Sequence, residues 1–189
     1  MIPGPLLFVR YAYPPNSLGY CGPADSAALR GYGTAGVVDP GLVQLARAFA
    51  GAWPYLELIA HHSFHVFGVY PWVGLLGDDR KADRALTVLD RCRIRWGRVR
   101  AIHGEQVVVE YRPLVWDGRY LSLGEPATET ARTGLFPDLA VGDRVSLHWD
   151  WVCDRLTDRQ LRALRGYTLA HLDLVNHRVE HPGPAAALR

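Results

Sequence analysis

Two segments in the second half of the chain decide its fold: Cys92-Arg-Ile-Arg-Trp-Gly-Arg-Val99 and Val141-Gly-Asp-Arg-Val-Ser-Leu-His148-Trp-Asp-Trp-Val-Cys-Asp-Arg-Leu-Thr157. Both contain the alternating β-branched and aromatic residues that are typical of strands. We therefore predict that Cys92 and His148 lie on two strands of one small barrel. A thiol and an imidazole brought together in this way suit a soft or borderline transition metal such as low-spin iron.

The remaining strands are predicted around these two segments. The hairpin turn Trp116-Asp-Gly-Arg119 is the strongest local signal, and Gly77-Asp-Asp-Arg80 reads as another turn. Between Gly124 and Leu139 we expect a loop with a short helical piece near residues 129–133. The predicted strands are one or two bent strands in 61–76, a long bent strand over 87–89 and 92–99, and strands at 106–111, 120–123 and 144–153. Five strands of this kind and length predict a small closed or half-closed, OB-like barrel.

The C-terminal helix has the clearest helical pattern in the chain. Thr157-Asp-Arg-Gln160 forms a capping box, and one apolar face follows at helical spacing until about Arg178. The residues of that face are Leu161, Leu164, Thr168, Leu172 and Val175. The tail 179–189 is predicted to be flexible.

The N-terminal region, residues 1–60, is predicted to be helical. Helices are expected from Asp25 or Ser26 to Tyr32, from Pro40 to Phe49, and from Trp53 onward, each with a cap or a glycine stop. The fold class is therefore α+β, with helices in 1–60 and a barrel with its C-terminal helix in 61–178. No linker separates the last predicted helix from the following strand, so a natural or engineered deletion at the Ala60–His61 junction is considered.

Composition excludes several classes of function. The 21 Lys and Arg residues nearly balance the 19 Asp and Glu residues, for a formal net charge of +2, which argues against a nucleic-acid or membrane surface. No apolar run approaches the ~20 residues of a membrane span, and the start of the chain lacks a signal-peptide pattern. Three cysteines without a CxxC motif fit reduced thiols. We expect a cytoplasmic protein.

The two deciding segments resemble the HypC/HupF family of nickel–iron hydrogenase maturation chaperones over residues ~92–175. The resemblance implies an OB-like barrel in which Cys92 and His148 carry an Fe(CN)2CO unit, with Gly97-Arg98-Val99 as the family's Gly-Lys-Val element. It also implies that the partners are other maturation proteins or the hydrogenase large-subunit precursor. The whole chain further resembles actinobacterial proteins of unknown function, which have additional helical sequence at the Ala60–His61 junction.

The residues around the two candidate ligands refine this prediction. Arg91, Arg93 and Arg95 would lower the pKa of the Cys92 thiol, although alternation on a strand places them on the opposite face. Asp150 is predicted to share a face with His148 and to orient its imidazole. A buried structural cysteine and a hydrogen-bonded histidine remain the alternatives for Cys92 and His148. Cys153 is predicted to be a buried apolar side chain.

A second candidate metal site is the triplet His61, His62 and His65. On a helix, His61 and His65 would lie one turn apart and could share a divalent ion, whereas on a strand they would be too far apart. Packing in an aromatic strand is the alternative. Cys21 lies in a Gly- and Pro-flanked turn and is expected to be structural. No phosphate loop, nucleophile elbow or zinc-protease motif is present.

The leading hypothesis is therefore a non-enzymatic maturation factor that binds iron or a hydrogenase precursor. The alternatives are a metal-dependent enzyme that uses the histidines and a protein-docking module without cargo.

Overall fold

The computed structural model describes Tyr11 and residues 66–67, 72–133 and 138–180. These residues form an α+β structure, as predicted. A 3-10 turn at Val73–Leu75 precedes the regular elements. In chain order these are α1 (Ala82–Cys92), β1 (Arg95–His103), β2 (Gln106–Tyr111), β3 (Leu114–Trp116), β4 (Leu121–Leu123), β5 (Ala127–Arg132), β6 (Arg144–His148), β7 (Trp151–Arg155) and α2 (Asp158–Glu180).

Five of the strands close into a barrel in the order β1-β2-β5-β7-β6, while β3 and β4 form a separate two-stranded hairpin. Neighbouring barrel strands are antiparallel except β5 and β7, which meet in parallel. A small five-stranded barrel is consistent with the predicted OB-like architecture. Described residues contain no helix with the length and hydropathy of a membrane span.

The barrel interior is filled by small and medium apolar side chains that alternate along the strands. Gly97 of β1 shows how tightly the strands pack, because a Cβ atom at this position would lie 2.4 Å from Cγ1 of Val109 and 2.7 Å from the carbonyl oxygen of Glu110. Only glycine permits this approach of β1 to β2. The interior residues are Val99, Val107, Val109, Ala131, Val145, Leu147 and Val152.

A second apolar core lies outside the barrel and joins α1, α2 and the β3–β4 hairpin. Asn176 of α2 fastens this arrangement, since its side chain accepts a hydrogen bond from the Leu121 N–H (2.8 Å) and donates one to the Leu121 carbonyl (2.9 Å). The buried members of this core are Val66, Phe67, Leu76, Ala85, Leu89, Leu114, Leu121, Leu172 and Val175. The barrel is therefore supported on one side by helices.

Several local predictions are confirmed. Strand β2 has the predicted bounds, the turn after Trp116 joins β3 to β4, and Gly77 begins a turn. The capping box is present, because the Thr157 N–H donates to Oε1 of Gln160 at 2.9 Å and the Gln160 N–H donates to Oγ1 of Thr157 at 3.3 Å. The predicted apolar face of α2 is partly or fully buried.

The prediction of a long strand over 87–89 and 92–99 is wrong in its first half. Residues 82–92 form α1, and the strand begins only at Arg95. Ala85 and Leu89 are one turn apart on the buried face of this helix. The hydroxyl of β-branched Thr87 donates to the Asp83 carbonyl at 2.8 Å, which accommodates it in the helix.

The region around β5 to β7 also differs from the prediction. Residues 127–132 form a barrel strand, where a loop with a helical piece had been expected. The predicted single strand 144–153 is two strands, because Trp149 adopts a φ of 55° and the chain reverses between His148 and Trp151. The barrel count of five is therefore right, but β5 and β7 are members and the β3–β4 hairpin is not.

The first part of the chain is described only at a few positions. The prediction of one or two bent strands in 61–76 is wrong where it can be compared, since Val66 and Phe67 lie in a π-helical turn and Val73–Leu75 is a 3-10 turn. The helices predicted within 1–60 lie outside the described residues, which in this region include only Tyr11. The Ala60–His61 junction and the tail beyond Glu180 lie there too.

Candidate functional site

Cys92 lies at the end of α1 and not on a strand. It is the last residue of that helix, it is half-buried, and its side chain packs against the outer apolar core. Arg93 and Arg95 follow it but are themselves buried, while Arg91 is exposed. The prediction that these arginines line the strand face opposite Cys92 is therefore wrong, because Cys92 belongs to the helix.

His148 is the last residue of β6 and is almost completely buried, with 1% of its surface exposed. Val145 and Leu147 point into the barrel, so Ser146 and His148 occupy the outer face of the strand. Tyr11 covers this face. Its hydroxyl shares a 2.7 Å hydrogen bond with Oγ of Ser146, and its carbonyl oxygen accepts one of 2.7 Å from Nδ1 of His148. In a neutral imidazole this leaves Nε2 as the basic nitrogen.

The segments that carry Cys92 and His148 lie side by side. The N–H of Trp149 donates a 2.8 Å hydrogen bond to the carbonyl oxygen of Arg91, and so joins the residue after His148 to the residue before Cys92. Arg95 reinforces the contact by donating from Nη2 to the Trp149 carbonyl. The end of α1 is thus anchored to the turn that follows β6.

The Cys92 thiol and the His148 imidazole alone do not make a complete metal centre. Among the described residues, no group of three or more His, Cys, Asp and Glu side chains is placed to hold an ion. Asp150 lies in the turn between β6 and β7, where its Oδ2 is 4.0 Å from Nε of Arg132. The second candidate set, His61, His62 and His65, lies outside the described residues, as does Cys21. Cys153 is buried on β7, as predicted.

Sequence reasoning missed a cluster of buried charges at one end of the barrel, which we call the buried ion cluster: Asp90, Arg93, Arg95, Tyr111 and Glu129. Strand register places three of its members on the inward face, because Arg95 pairs with Leu147, Tyr111 with Gly97 and Glu129 with Val109. The last turn of α1 contributes Asp90. The helix therefore closes this end of the barrel with charged side chains.

Each charge in the buried ion cluster has an opposite charge beside it. Arg95 is fully buried; its Nη1 donates to the Glu129 carboxylate at 2.8 Å, and its guanidinium carbon lies 4.9 Å from the centre of the Tyr111 ring. Arg93 donates to Oδ1 of Asp90 from Nε (3.1 Å) and Nη2 (2.9 Å). Tyr111 donates to the other Asp90 oxygen at 3.4 Å. Such pairing is what makes buried charges tolerable.

Burial is the main cause of the pKa shifts of Glu129, Tyr111 and Arg93. It raises the pKa of Glu129, against the opposing effect of the Arg95 charge, and it raises the pKa of Tyr111, which the neighbouring Asp90 carboxylate raises further. It also lowers the pKa of Arg93, against the opposing effect of Asp90. The charged members of the cluster are paired with one another, which suits a structural role better than acid–base catalysis on a substrate. The alternation of Arg95 with Gly97 and Val99 on one strand face was the signal in the sequence that could have located it.

A surface cleft lies between the barrel and α2, and we call it the Trp96 cleft. It has a volume of about 320 Å³ and is lined by Trp96, Arg112, Leu123, Arg165 and Leu169. Trp96 pairs with Ser146 across β1 and β6, so it lies on the outer barrel face that also carries His148. A cleft lined by three apolar side chains and two arginines can bind an anionic group attached to an apolar side chain.

A family model described as a family of unknown function (DUF6390) matches residues 1–61 and 57–182. The two matched segments overlap at residues 57–61, which include the Ala60–His61 junction. Searches of curated proteins and of solved structures gave no significant match.

Proposed function

Because the chain belongs to the DUF6390 family, whose function is unknown, we propose a function from its own barrel. The protein is a non-enzymatic accessory factor that assists maturation of a nickel–iron hydrogenase by binding the large-subunit precursor. The observation that carries this proposal is the hydrogen bond between the Trp149 N–H and the Arg91 carbonyl. It supports the juxtaposition of Cys92 and His148 that the resemblance to HypC/HupF chaperones implies.

Binding of a protein is better supported than carriage of an Fe(CN)2CO unit. An iron fragment needs donors that it can reach, whereas His148 is 1% exposed and its Nδ1 is already hydrogen-bonded to Tyr11. Cys92 is half-buried against apolar side chains. A partner that packs on the end of α1 would contact the thiol without requiring a complete coordination sphere.

A non-enzymatic role is supported by the way that the titratable groups are used. The groups with raised pKa values, Glu129 and Tyr111, belong to the buried ion cluster and are paired inside the barrel. A general acid or base has to reach its substrate directly or through one water. Tyr111 instead bonds to Asp90 of α1, and Glu129 pairs with Arg95 of β1.

The test is co-purification from a host that expresses hydrogenase maturation genes and a tagged large-subunit precursor. The protein is isolated anaerobically, the bound precursor is quantified, and iron and the infrared cyanide and carbonyl bands are measured. Cys92→Ser should lose most of the precursor while the free energy of unfolding changes by less than about 1 kcal/mol. Cys153→Ser is the matched control, since that thiol is buried on β7, and it should retain the precursor.

Other outcomes lead to different conclusions. No precursor with the wild-type protein, or equal retention by Cys92→Ser, would overturn the proposal. Cyanide and carbonyl bands that disappear in Cys92→Ser would add an iron cargo to it. A bound divalent metal that is lost when His61, His62 and His65 are changed to Ala, with no precursor bound, would favour the metal-dependent enzyme instead.

A further inference from the structure

We propose that the Trp96 cleft binds an acidic segment of the partner protein, in which an apolar side chain lies between carboxylates. The inference rests on the proposed function, because it identifies the kind of segment that the accessory factor would hold. The apolar side chain packs on Trp96, Leu123 and Leu169, and the carboxylates pair with Arg112 and Arg165.

The charges of the cleft favour an anionic occupant. Arg165 is exposed on α2 and makes no ion pair with any described residue. Arg112 is anchored by its Nε, which donates to the Gly124 carbonyl at 2.8 Å, and its side chain remains 46% exposed. The nearest acid, Glu125, is 3.9 Å away and 94% exposed. A surface ion pair of this kind contributes little, so a better-placed carboxylate can replace it.

The apolar side chains of the cleft determine which kind of anionic group it can bind. Trp96 and Leu123 are half-buried, and Leu169 remains 45% exposed although it faces the cleft. A volume of about 320 Å³ is at the lower end of the range for small-ligand sites, and it accommodates one large side chain with its neighbours. A net charge of only +2 argues against a nucleic-acid backbone as the source of the anion.

The walls of the cleft are held in place before anything binds. The Arg112 carbonyl accepts a 2.7 Å hydrogen bond from Nη2 of Arg93, so the strand end that carries Arg112 is tied to the buried ion cluster. Asn176 fastens α2 to β4 at Leu121, near Leu123. Binding to such a site loses little conformational freedom on the protein side.

The probe is a fluorescein-labelled, capped heptapeptide with glutamates on both sides of a central phenylalanine, and its binding is followed by fluorescence anisotropy. We expect saturable binding that weakens as salt is raised. Arg165→Ala and Arg112→Ala should each weaken it by about tenfold, as expected for loss of a charge-assisted hydrogen bond. Arg159→Ala is the matched control, because that arginine is exposed on the same helix but does not line the cleft. Thermal unfolding confirms that each variant is folded.

The proposal is overturned if the wild-type protein does not bind the peptide, if the peptide with glutamines in place of the glutamates binds equally well, or if Arg159→Ala costs as much as Arg165→Ala. The cleft proposal and the proposed function can be refuted independently of each other. Co-purified precursor that is unaffected by Arg165→Ala would remove the cleft proposal and leave the accessory function. Peptide binding that depends on Arg165, with no precursor bound, would remove the accessory function and leave the cleft as a site for acidic segments.

Discussion

Replacing Arg95 by methionine is expected to destabilise the protein strongly. The substitution keeps an unbranched apolar side chain but removes the guanidinium that pairs with Glu129 at 2.8 Å and donates to the Trp149 carbonyl. Arg95 is fully buried, and the Glu129 side chain is only 14% exposed. Breaking a buried ion pair by removal of one partner costs about 3–5 kcal/mol, because the other charge is left without compensation. That is a large part of the 5–15 kcal/mol typical of a folded domain.

The loss should depend on pH with a defined sign. Burial already raises the pKa of Glu129, and the Arg95 charge opposes that effect, so the folded-state pKa rises further in Arg95→Met. A carboxyl whose folded pKa lies above its unfolded value contributes stability that is present at low pH and lost as pH rises through the folded pKa. The variant should therefore be least stable, relative to the wild type, near neutral pH.

Urea unfolding followed by tryptophan fluorescence at about pH 7 and about pH 5 measures both effects. Arg100→Met is the matched control, since Arg100 pairs with Glu110 at 2.6 Å but is 46% exposed, and it should cost at most about 1 kcal/mol. The double variant Arg95→Met/Glu129→Gln should recover about 1 kcal/mol or more. The reasoning is refuted if Arg95→Met costs no more than Arg100→Met, or if its cost grows on acidification.

Two further substitutions test the packing. Gly97→Ala should destabilise the protein by about 1–3 kcal/mol, because the new methyl group would meet Val109 and the backbone of β2. Gly166→Ala on α2 meets no atom within 4 Å and should stabilise the protein by up to about 1 kcal/mol. Thermal unfolding of both variants measures these changes, and equal effects of the two substitutions would contradict the prediction. Asn176→Leu should lower the free energy of unfolding by about 1–3 kcal/mol, because the N–H and carbonyl of Leu121 lose the side chain that bonds them. A decrease below about 0.5 kcal/mol in urea unfolding would contradict the stabilising role of Asn176.

The parts of the fold that could be predicted from the sequence are those set by neighbouring residues. The alternation in β2, the turn after Trp116 and the capping box at Thr157 all depend on signals within a few positions. Helix α1 was missed because Thr87 and Val88 favour a strand, whereas the burial of Ala85 and Leu89 against distant elements decides the outcome. Strand β5 was missed because its inward residues include Glu129, whose partner Arg95 is 34 positions away.

In the candidate site, too, only part of the arrangement could be predicted from the sequence. The sequence pattern predicted the Cys92 and His148 segments in one barrel, and the hydrogen bond from the Trp149 N–H to the Arg91 carbonyl shows that the two segments are neighbours. It could not reveal that Tyr11, 137 positions before His148, covers the imidazole. It also could not reveal that Cys92 terminates a helix. Both facts depend on tertiary contacts that leave no periodic trace in the sequence.

The barrel closes through a narrow parallel seam between β5 and β7. The paired positions at this seam are Arg132 and Trp151. The Arg132 N–H donates to the Asp150 carbonyl at 2.8 Å, and the Arg132 guanidinium lies over the Trp151 ring. The other junctions of the barrel are antiparallel ladders of at least four residue pairs. We therefore expect thermal opening of the barrel to begin at this seam, so that backbone amides there exchange with solvent before those of β1 and β2 and the barrel separates along this edge.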